Sequence, residues 1–251
     1  MRRNSSNGPG SKKSISRACL ISLGLLVCVG SVPIAWRYYH PVLIKMTGAK
    51  TIEDRVRQYG PAARERLAPH FDRAEVAYPP EHVTLVGLKR EKVLRLYAGP
   101  SRERQAFVRE YPILGASGNL GPKLREGDRQ VPEGLYRIES LNPNSRFHLS
   151  LRINYPNAFD QEMGRSDGRT KLGSDIMIHG NTASIGCLAM GDPVSEELFV
   201  LAADVGIDNI EVILSPVDLL LEKMKPGLDS LTPWTRELYA QIDTELRRLP
   251  P

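Results

Sequence analysis

One uncharged apolar stretch, ACLISLGLLVCVGSVPIAW from Ala18 to Trp36, constrains this chain more than any other feature. It is about as long as a helix that crosses a bilayer. Five basic residues and no acidic residue precede it: Arg2, Arg3, Lys12, Lys13 and Arg17. Such a flank keeps the N-terminus in the cytoplasm and sends the following segment across the membrane. We therefore predict a cytoplasmic basic tail over residues 1–17, a membrane segment over residues 18–36 and an exported remainder.

The fate of the apolar segment has two readings. The small residues Val29, Gly30 and Ser31 are typical of a signal-peptidase site. The length of the stretch, and the aromatic residues Trp36 and Tyr38 at its end, favour an anchor that is not cleaved. We expect a periplasmic domain anchored in the inner membrane, with secretion after cleavage as the alternative.

The basic tail also accounts for the net charge of the chain. Lysines and arginines number 34 and acidic residues 29, which gives a net charge of +5. Since five of the cations lie in the tail, the rest of the chain carries equal numbers of basic and acidic residues. A nucleic-acid-binding domain needs a basic surface, so we expect no nucleic-acid partner.

The exported part reads as a mainly β domain with a few helices. We predict a helical spacer over residues 37–80, with two short helices between Thr51 and Ala74 that are interrupted at Gly60-Pro61 and before Pro69. Residues 81–216 are predicted as the main domain, and residues 217–251 as a helical extension. The predicted strands of the main domain lie in HVTLVGLK, KVLRLYAG, FVREYPILGASG, GLYRIESL, FHLSLRINYP, DIMIHG and NIEVILSP, and a helix lies in PVSEELFVLAADVG. In FHLSLRINYP, alternation places Phe147, Leu149, Leu151 and Ile153 on one face, which predicts a half-buried strand.

A single cysteine stands in the exported part, within IHGNTASIGCLAM. Cys19 and Cys28 lie in the apolar stretch, which leaves Cys187 without a disulfide partner in a compartment that favours disulfides. Such a thiol is either an inert buried group or one kept free for chemistry. His179 follows a short apolar strand, and the NTASIG turn allows Cys187 to return beside it as a nucleophile with its base.

The residues around this pair suit acyl chemistry. Gly186 allows a close backbone approach, and the Gly186 and Cys187 amides are candidates for an oxyanion hole. The Gly180 carbonyl is a possible acceptor for the second imidazole nitrogen, and Ser184 either orients the loop or is a plain turn serine. One cysteine and one histidine lack the spacing of a metal site, so we predict no metal.

These motifs together resemble a known family. The stretches EGDRQVPEGLYRI, NPNSRFHLSLRINYPN and IHGNTASIGCLAM occur in the order found in L,D-transpeptidases with the YkuD catalytic domain, and they are most similar to the YafK-like murein transpeptidase branch. The resemblance covers roughly residues 82–215. It implies a YkuD-like, β-sandwich-like catalytic domain that needs no cofactor and acts on peptidoglycan stem peptides, with wall-attached lipoproteins as further partners.

The resemblance also implies a mechanism. Cys187 attacks the carbonyl at the L-centre of diaminopimelate and forms a thioester, and His179 transfers the protons. An amine acceptor then gives a crosslink and water gives hydrolysis. Candidate substrate-binding residues on one strand and its end are His148, Arg152, Tyr155 and Asn157.

Two positions depart from the family pattern. Most members carry a histidine where this chain has Ile185, and an arginine where it has Ala189. We expect another arginine to hold the carboxylate of the substrate, with Arg146, Arg152 and Arg165 as candidates. Two rival functions stay open at this point: a hydrolase that cuts crosslinks or wall-attached proteins, and a non-catalytic wall-binding module.

Overall fold

The computed structural model describes residues 48–221 and 232–250. Residues 50–251 form one compact unit. The predicted basic tail and membrane segment, residues 1–36, lie outside the described residues. Within the described ranges, no helix is both long enough and apolar enough to cross a membrane.

The first helix, α1 (Ile52–Arg73), is continuous, so the prediction of two short helices is wrong. Pro61 and Pro69 lie inside it. Its buried residues Gly60, Ala63, Leu67 and Phe71 recur at helical spacing and form one apolar stripe. Packing of this stripe offsets the penalty of an internal proline, about 3 kcal/mol.

The domain is built on a sheet of nine strands within the described residues. They are β1 (His82–Leu88), β2 (Val93–Gly99), β3 (Ala106–Pro112), β4 (Gly115–Ala116), β5 (Gly134–Ser145), β6 (His148–Ile153), β7 (Met177–His179), β8 (Leu188–Ala189) and β9 (Ile210–Ser215). Their order in the sheet is β3-β2-β1-β9-β5-β6-β7-β8-β4. The pairs β1/β9 and β7/β8 are parallel, and the other neighbours are antiparallel.

The sheet is curled, and its two edge strands are consecutive in the chain. The chain passes from β3 at one edge to β4 at the other through Ile113 and Leu114 alone. The Ile113 amide donates to the Lys92 carbonyl beside β2, and the Leu114 amide donates to the Ala189 carbonyl of β8. One curled sheet therefore replaces the sandwich-like arrangement that we expected.

The described residues contain three further α-helices: α2 (Ala158–Ser166), α3 (Asp192–Val205) and α4 (Thr235–Arg248). Helices α1 and α3 pack together and against the sheet, and the main core lies between them and the strands. The buried Glu197 carboxylate of α3 accepts hydrogen bonds from Arg66 of α1 at 2.7 Å, from Arg109 at 2.9 Å and from the Tyr111 hydroxyl at 3.0 Å. The described contacts thus tie the helix of the predicted spacer to the sheet.

A second core lies on the opposite face of β1, β2 and β9. There Val86, Leu88 and Ile213 pack with Leu238 and Ile242 of α4. Both faces of β1 are covered, which explains why six successive residues of this strand are buried. The seven predicted strand regions and the predicted helix α3 are confirmed, whereas β8 and helix α2 were not predicted.

Candidate active site

Parallel pairing of β7 and β8 brings the predicted nucleophile and base to neighbouring positions. His179 is the last residue of β7, and it pairs with Ala189 of β8 while Ile178 pairs with Leu188. Cys187 immediately precedes β8 and is two positions before Ala189 along the chain. Since side chains alternate along a strand, Cys187 and His179 project from the same face of the sheet.

A backbone carbonyl fixes the His179 imidazole. Nδ1 lies 2.5 Å from the Gly180 carbonyl oxygen, and the side chain is fully buried. A carbonyl only accepts hydrogen bonds, so Nδ1 carries the proton and Nε2 is left with its lone pair. Burial lowers the pKa of His179, and the bond to Gly180 opposes this shift. The neutral tautomer that forms is the one required of a general base.

The peptide that accepts from His179 is held from its other side by Asp192. The Asn181 N–H, which belongs to the same peptide unit as the Gly180 carbonyl, donates to Asp192 Oδ1 at 2.7 Å. A Cβ on Gly180 would lie 2.5 Å from that oxygen, so this close approach requires glycine. An acidic residue thus acts on the histidine through a peptide group. Its sequence signal was only an aspartate at the start of a helix.

The Cys187 thiol is half-buried, and its hydrogen-bond partner is a backbone carbonyl rather than His179. Its Sγ donates to the Asp175 carbonyl at 3.7 Å, and within the described part of the chain no hydrogen bond joins it to the imidazole. Burial raises the pKa of the Cys187 thiol, and the Asp175 carboxylate adds to this effect. A hydrogen bond from the Met177 amide and the charge of Lys123 act in the opposite direction. The resting pair is therefore a neutral thiol and a neutral imidazole.

Alkylation of Cys187 should report this resting state. Because its pKa is raised, the alkylation rate should keep rising with pH beyond about 8.5, where an ordinary thiol begins to level off. Peptide mass mapping after iodoacetamide treatment measures this rate and separates Cys187 from Cys19 and Cys28. A plateau already reached at neutral pH would instead indicate a preformed thiolate–imidazolium pair.

The two amides that we predicted as an oxyanion hole already donate hydrogen bonds to serine hydroxyls. The Gly186 amide donates to Ser117 Oγ at 2.6 Å, and the Cys187 amide donates to Ser184 Oγ at 3.2 Å. The Ser184 hydroxyl in turn donates to the Cys187 carbonyl, so it closes the nucleophile turn. Gly186 has φ +96°, a backbone conformation that favours glycine. An oxyanion can use these two amides only by displacing the hydroxyls.

An aromatic ring that we had assigned only to a strand face covers the histidine. Phe147 lies in the turn before β6, and its ring centroid is 4.7 Å from that of His179 with an interplanar angle of 30°. It restricts access to the imidazole from one side. The alternation of apolar residues predicted the buried Leu149, Leu151 and Ile153 but gave no indication of this contact.

The four predicted substrate-binding residues have different surroundings. Arg152 lies across from Met177 on the neighbouring strand and pairs with the Asp175 carboxylate at 3.0 Å, so it lies beside the nucleophile. His148 Nε2 lies 2.9 Å from Glu196, and its ring packs edge-on against Tyr59 of α1. These two residues are partly exposed.

The other two predicted substrate-binding residues have structural roles, so this prediction is corrected. Tyr155 is 2% exposed, and its hydroxyl donates to the Leu172 carbonyl at 3.1 Å. Asn157 caps α2 by accepting from the Asp160 amide at 2.9 Å. Core packing and helix capping use the same residue types as a ligand site, so composition did not separate them.

Position 189, where most family members carry an arginine, has no room for a large side chain. Ala189 is fully buried, and a Cβ on Gly115 would lie 3.3 Å from the Ala189 Cβ. Ile185, by contrast, is 75% exposed on the nucleophile loop. Arg165 pairs with Glu162 on α2, and Arg146 lies in the turn between β5 and β6. Position 189 therefore has no room for the arginine that most family members carry there.

The matched family model decides the identity of the domain. The model of the L,D-transpeptidase catalytic domain, YkuD, matches residues 83–212, from β1 to β9. The chain belongs to the YkuD family. The L,D-transpeptidase resemblance read from the sequence is therefore confirmed, and the His179–Cys187 pair lies inside the matched region.

Several proteins of known name are similar to this chain. The putative L,D-transpeptidase YafK of Escherichia coli K12 is 34% identical over 142 residues, which cover 55% of this chain and 55% of the relative. The chain thus matches about half the length of this curated relative. Among solved structures, the helical cell shape determining protein Pgp2 of Campylobacter jejuni has a TM-score of 0.44 at 22% identity, over 70% of this chain and 62% of that one. L,D-transpeptidase 1 of Mycobacterium tuberculosis has a TM-score of 0.32 at 14% identity, over 53% and 62%.

Proposed function

We propose that this protein is a periplasmic cysteine acyltransferase that acts on peptidoglycan stem peptides. The observation that carries the proposal is the fixed, neutral His179 imidazole on the strand next to Cys187, inside a YkuD domain. The Nε2 lone pair is available to take the thiol proton as the sulfur attacks. The N-terminal apolar segment supports location at the inner membrane.

The proposed reaction has two steps. Rotation of the Cys187 side chain about χ1 first moves Sγ from the Asp175 carbonyl toward His179. Sγ then bonds to the carbonyl carbon at the L-centre of diaminopimelate, the C–N bond to the leaving group breaks, and His179 passes the thiol proton to the departing amine. An amine or water next attacks the thioester and loses a proton to His179, and Cys187 leaves as the thiol.

The oxyanion of each step needs donors. The Gly186 and Cys187 amides are the proposed pair, and the substrate oxygen would take the places of the Ser117 and Ser184 hydroxyls. Displacement of these two weaker acceptors by a developing negative charge favours the transition state over the ground state.

Digestion of purified sacculi tests the proposal. Wild-type protein should change the muropeptide profile, identified by mass, and Cys187→Ala should leave it unchanged while retaining its thermal unfolding midpoint. New links between stem peptides would identify an amine acceptor, and cut products would identify water. An unchanged profile with wild type would favour a wall-binding module, and equal changes with Cys187→Ala would rule out the thioester mechanism.

A further inference from the structure

A cavity of about 180 Å³ opens beside the nucleophile loop. It is lined by Asp175, whose carbonyl accepts from the Cys187 Sγ, and by Ile185 of the nucleophile loop. The loop that precedes β5 forms its other side, with Lys123, Glu126 and Arg129. Asp175 is thus shared by the cavity and by the hydrogen bond of the sulfur that the proposed reaction uses.

Two of its four charged groups are already neutralised. Lys123 pairs with Asp128, and Asp175 pairs with Arg152 at 3.0 Å. Arg129 and Glu126 are exposed, and neither side chain forms an ion pair or hydrogen bond with any residue in the two described ranges. The cavity therefore presents one uncompensated cation and one uncompensated anion.

The backbone around Arg129 is held directly against the nucleophile loop. Ser117 Oγ donates to the Arg129 carbonyl at 2.7 Å and accepts from the Gly186 amide at 2.6 Å, so one hydroxyl joins the two loops. A Cβ on Gly186 would lie 3.4 Å from the Gln130 carbonyl oxygen. The backbone of Arg129 is thus held beside Gly186, the residue that precedes Cys187.

Local strain marks the same cavity. Arg129 and Asp175 have φ values of 56° and 60°, in the left-handed region that residues other than glycine rarely adopt. Such a backbone conformation is unfavourable and persists where the surroundings determine it, often at ligand sites. Arg129 and Asp175 both line this small cavity, so their charged side chains are positioned there by an unfavourable backbone conformation.

We propose that this cavity binds the zwitterionic amino-acid group at the far end of the diaminopimelate side chain. Arg129 binds its carboxylate and Glu126 binds its ammonium group. The proposal rests on the proposed function, because the L-centre of the same residue must reach Cys187. A guanidinium matches a carboxylate with two parallel hydrogen bonds, and the single anion nearby matches one ammonium group.

A pair of acyl-donor peptides tests this subsite. One contains diaminopimelate, and the other contains lysine, which keeps the side-chain ammonium group and lacks only the carboxylate. Wild-type protein should prefer the diaminopimelate peptide by about tenfold in kcat/KM. Arg129→Gln should remove this preference by lowering turnover of the diaminopimelate peptide alone. Glu126→Gln should lower turnover of both peptides about two- to fivefold.

Arg125→Gln is the matched control, because Arg125 is exposed on the same loop and does not line the cavity. It should leave both rates and their ratio unchanged. A preference that survives in Arg129→Gln, or that is lost equally in Arg125→Gln, would overturn the subsite. If wild type turns over neither peptide, the proposed function fails. Binding of the two peptides to Cys187→Ala, with and without Arg129→Gln, then decides the subsite separately.

Discussion

Replacement of His179 by glutamine should lower the rate of Cys187 acylation by about 10²- to 10⁴-fold near neutral pH. The raised pKa of Cys187 and the lowered pKa of His179 both favour the neutral pair, so the thiol must lose its proton during attack. Glutamine keeps a polar side chain but cannot relay a proton. Single-turnover formation of the acyl-enzyme, followed by intact mass, measures this rate.

The pH dependence distinguishes a lost base from a damaged site. Hydroxide removes the thiol proton in the variant, so its rate should rise steeply with pH and the gap to wild type should narrow in alkaline solution. His82→Gln is a suitable control, because His82 begins β1 in the half of the sheet remote from β7. Equal losses in the two variants, or a constant gap across the pH range, would contradict a base role for His179.

Removal of the Glu133 carboxylate should destabilise the fold by about 3–5 kcal/mol. Glu133 Oε1 lies 2.8 Å from the Lys89 ammonium group, and both side chains are almost completely buried. Lys89 also donates to the carbonyls of Gly121 and Val131. Glu133→Ala leaves a buried cation without its counter-charge. The free energy of unfolding from urea titration measures the change.

An exposed ion pair provides the comparison. Arg165 and Glu162 form a pair on α2 with both side chains mostly exposed, and Glu162→Ala should change the unfolding free energy by less than about 1 kcal/mol. A third variant, Tyr239→Phe, keeps the buried pair and removes one hydrogen bond to Glu133, with an expected loss of about 1.5–3 kcal/mol. Similar small effects for all three variants would show that the buried pair contributes little.

The sequence predicted the parts of the structure that depend on local pattern. Alternation predicted the buried side of β6. The short strand before His179 and the turn after it allowed Cys187 to return beside the histidine, but β8, which pairs with the His179 strand, was not predicted. Prolines inside α1 misled the prediction, because the apolar stripe of that helix is stabilised by packing with distant residues. Local helix propensity does not depend on such contacts and therefore cannot predict them.

The finer features of the site depend on distant segments meeting. Asp192 acts on His179 through a peptide, and Arg129 approaches Gly186 through the Ser117 hydroxyl. Each of these contacts joins loops that no period or motif connects. Tyr155 and Asn157 were predicted to bind substrate because of their residue types, but Tyr155 packs in the core and Asn157 caps α2.

The Tyr239 hydroxyl of α4 donates to the Glu133 carboxylate at 2.7 Å, and this contact limits how the domain can be recombined. The family match ends at residue 212, whereas this helix lies beyond it and covers Val86 and Leu88 on the outer face of the sheet. A chimaera that transplanted residues 83–212 alone would expose this apolar face and leave Glu133 one donor short. A transplanted catalytic segment of this protein would therefore need the C-terminal helix α4 as well.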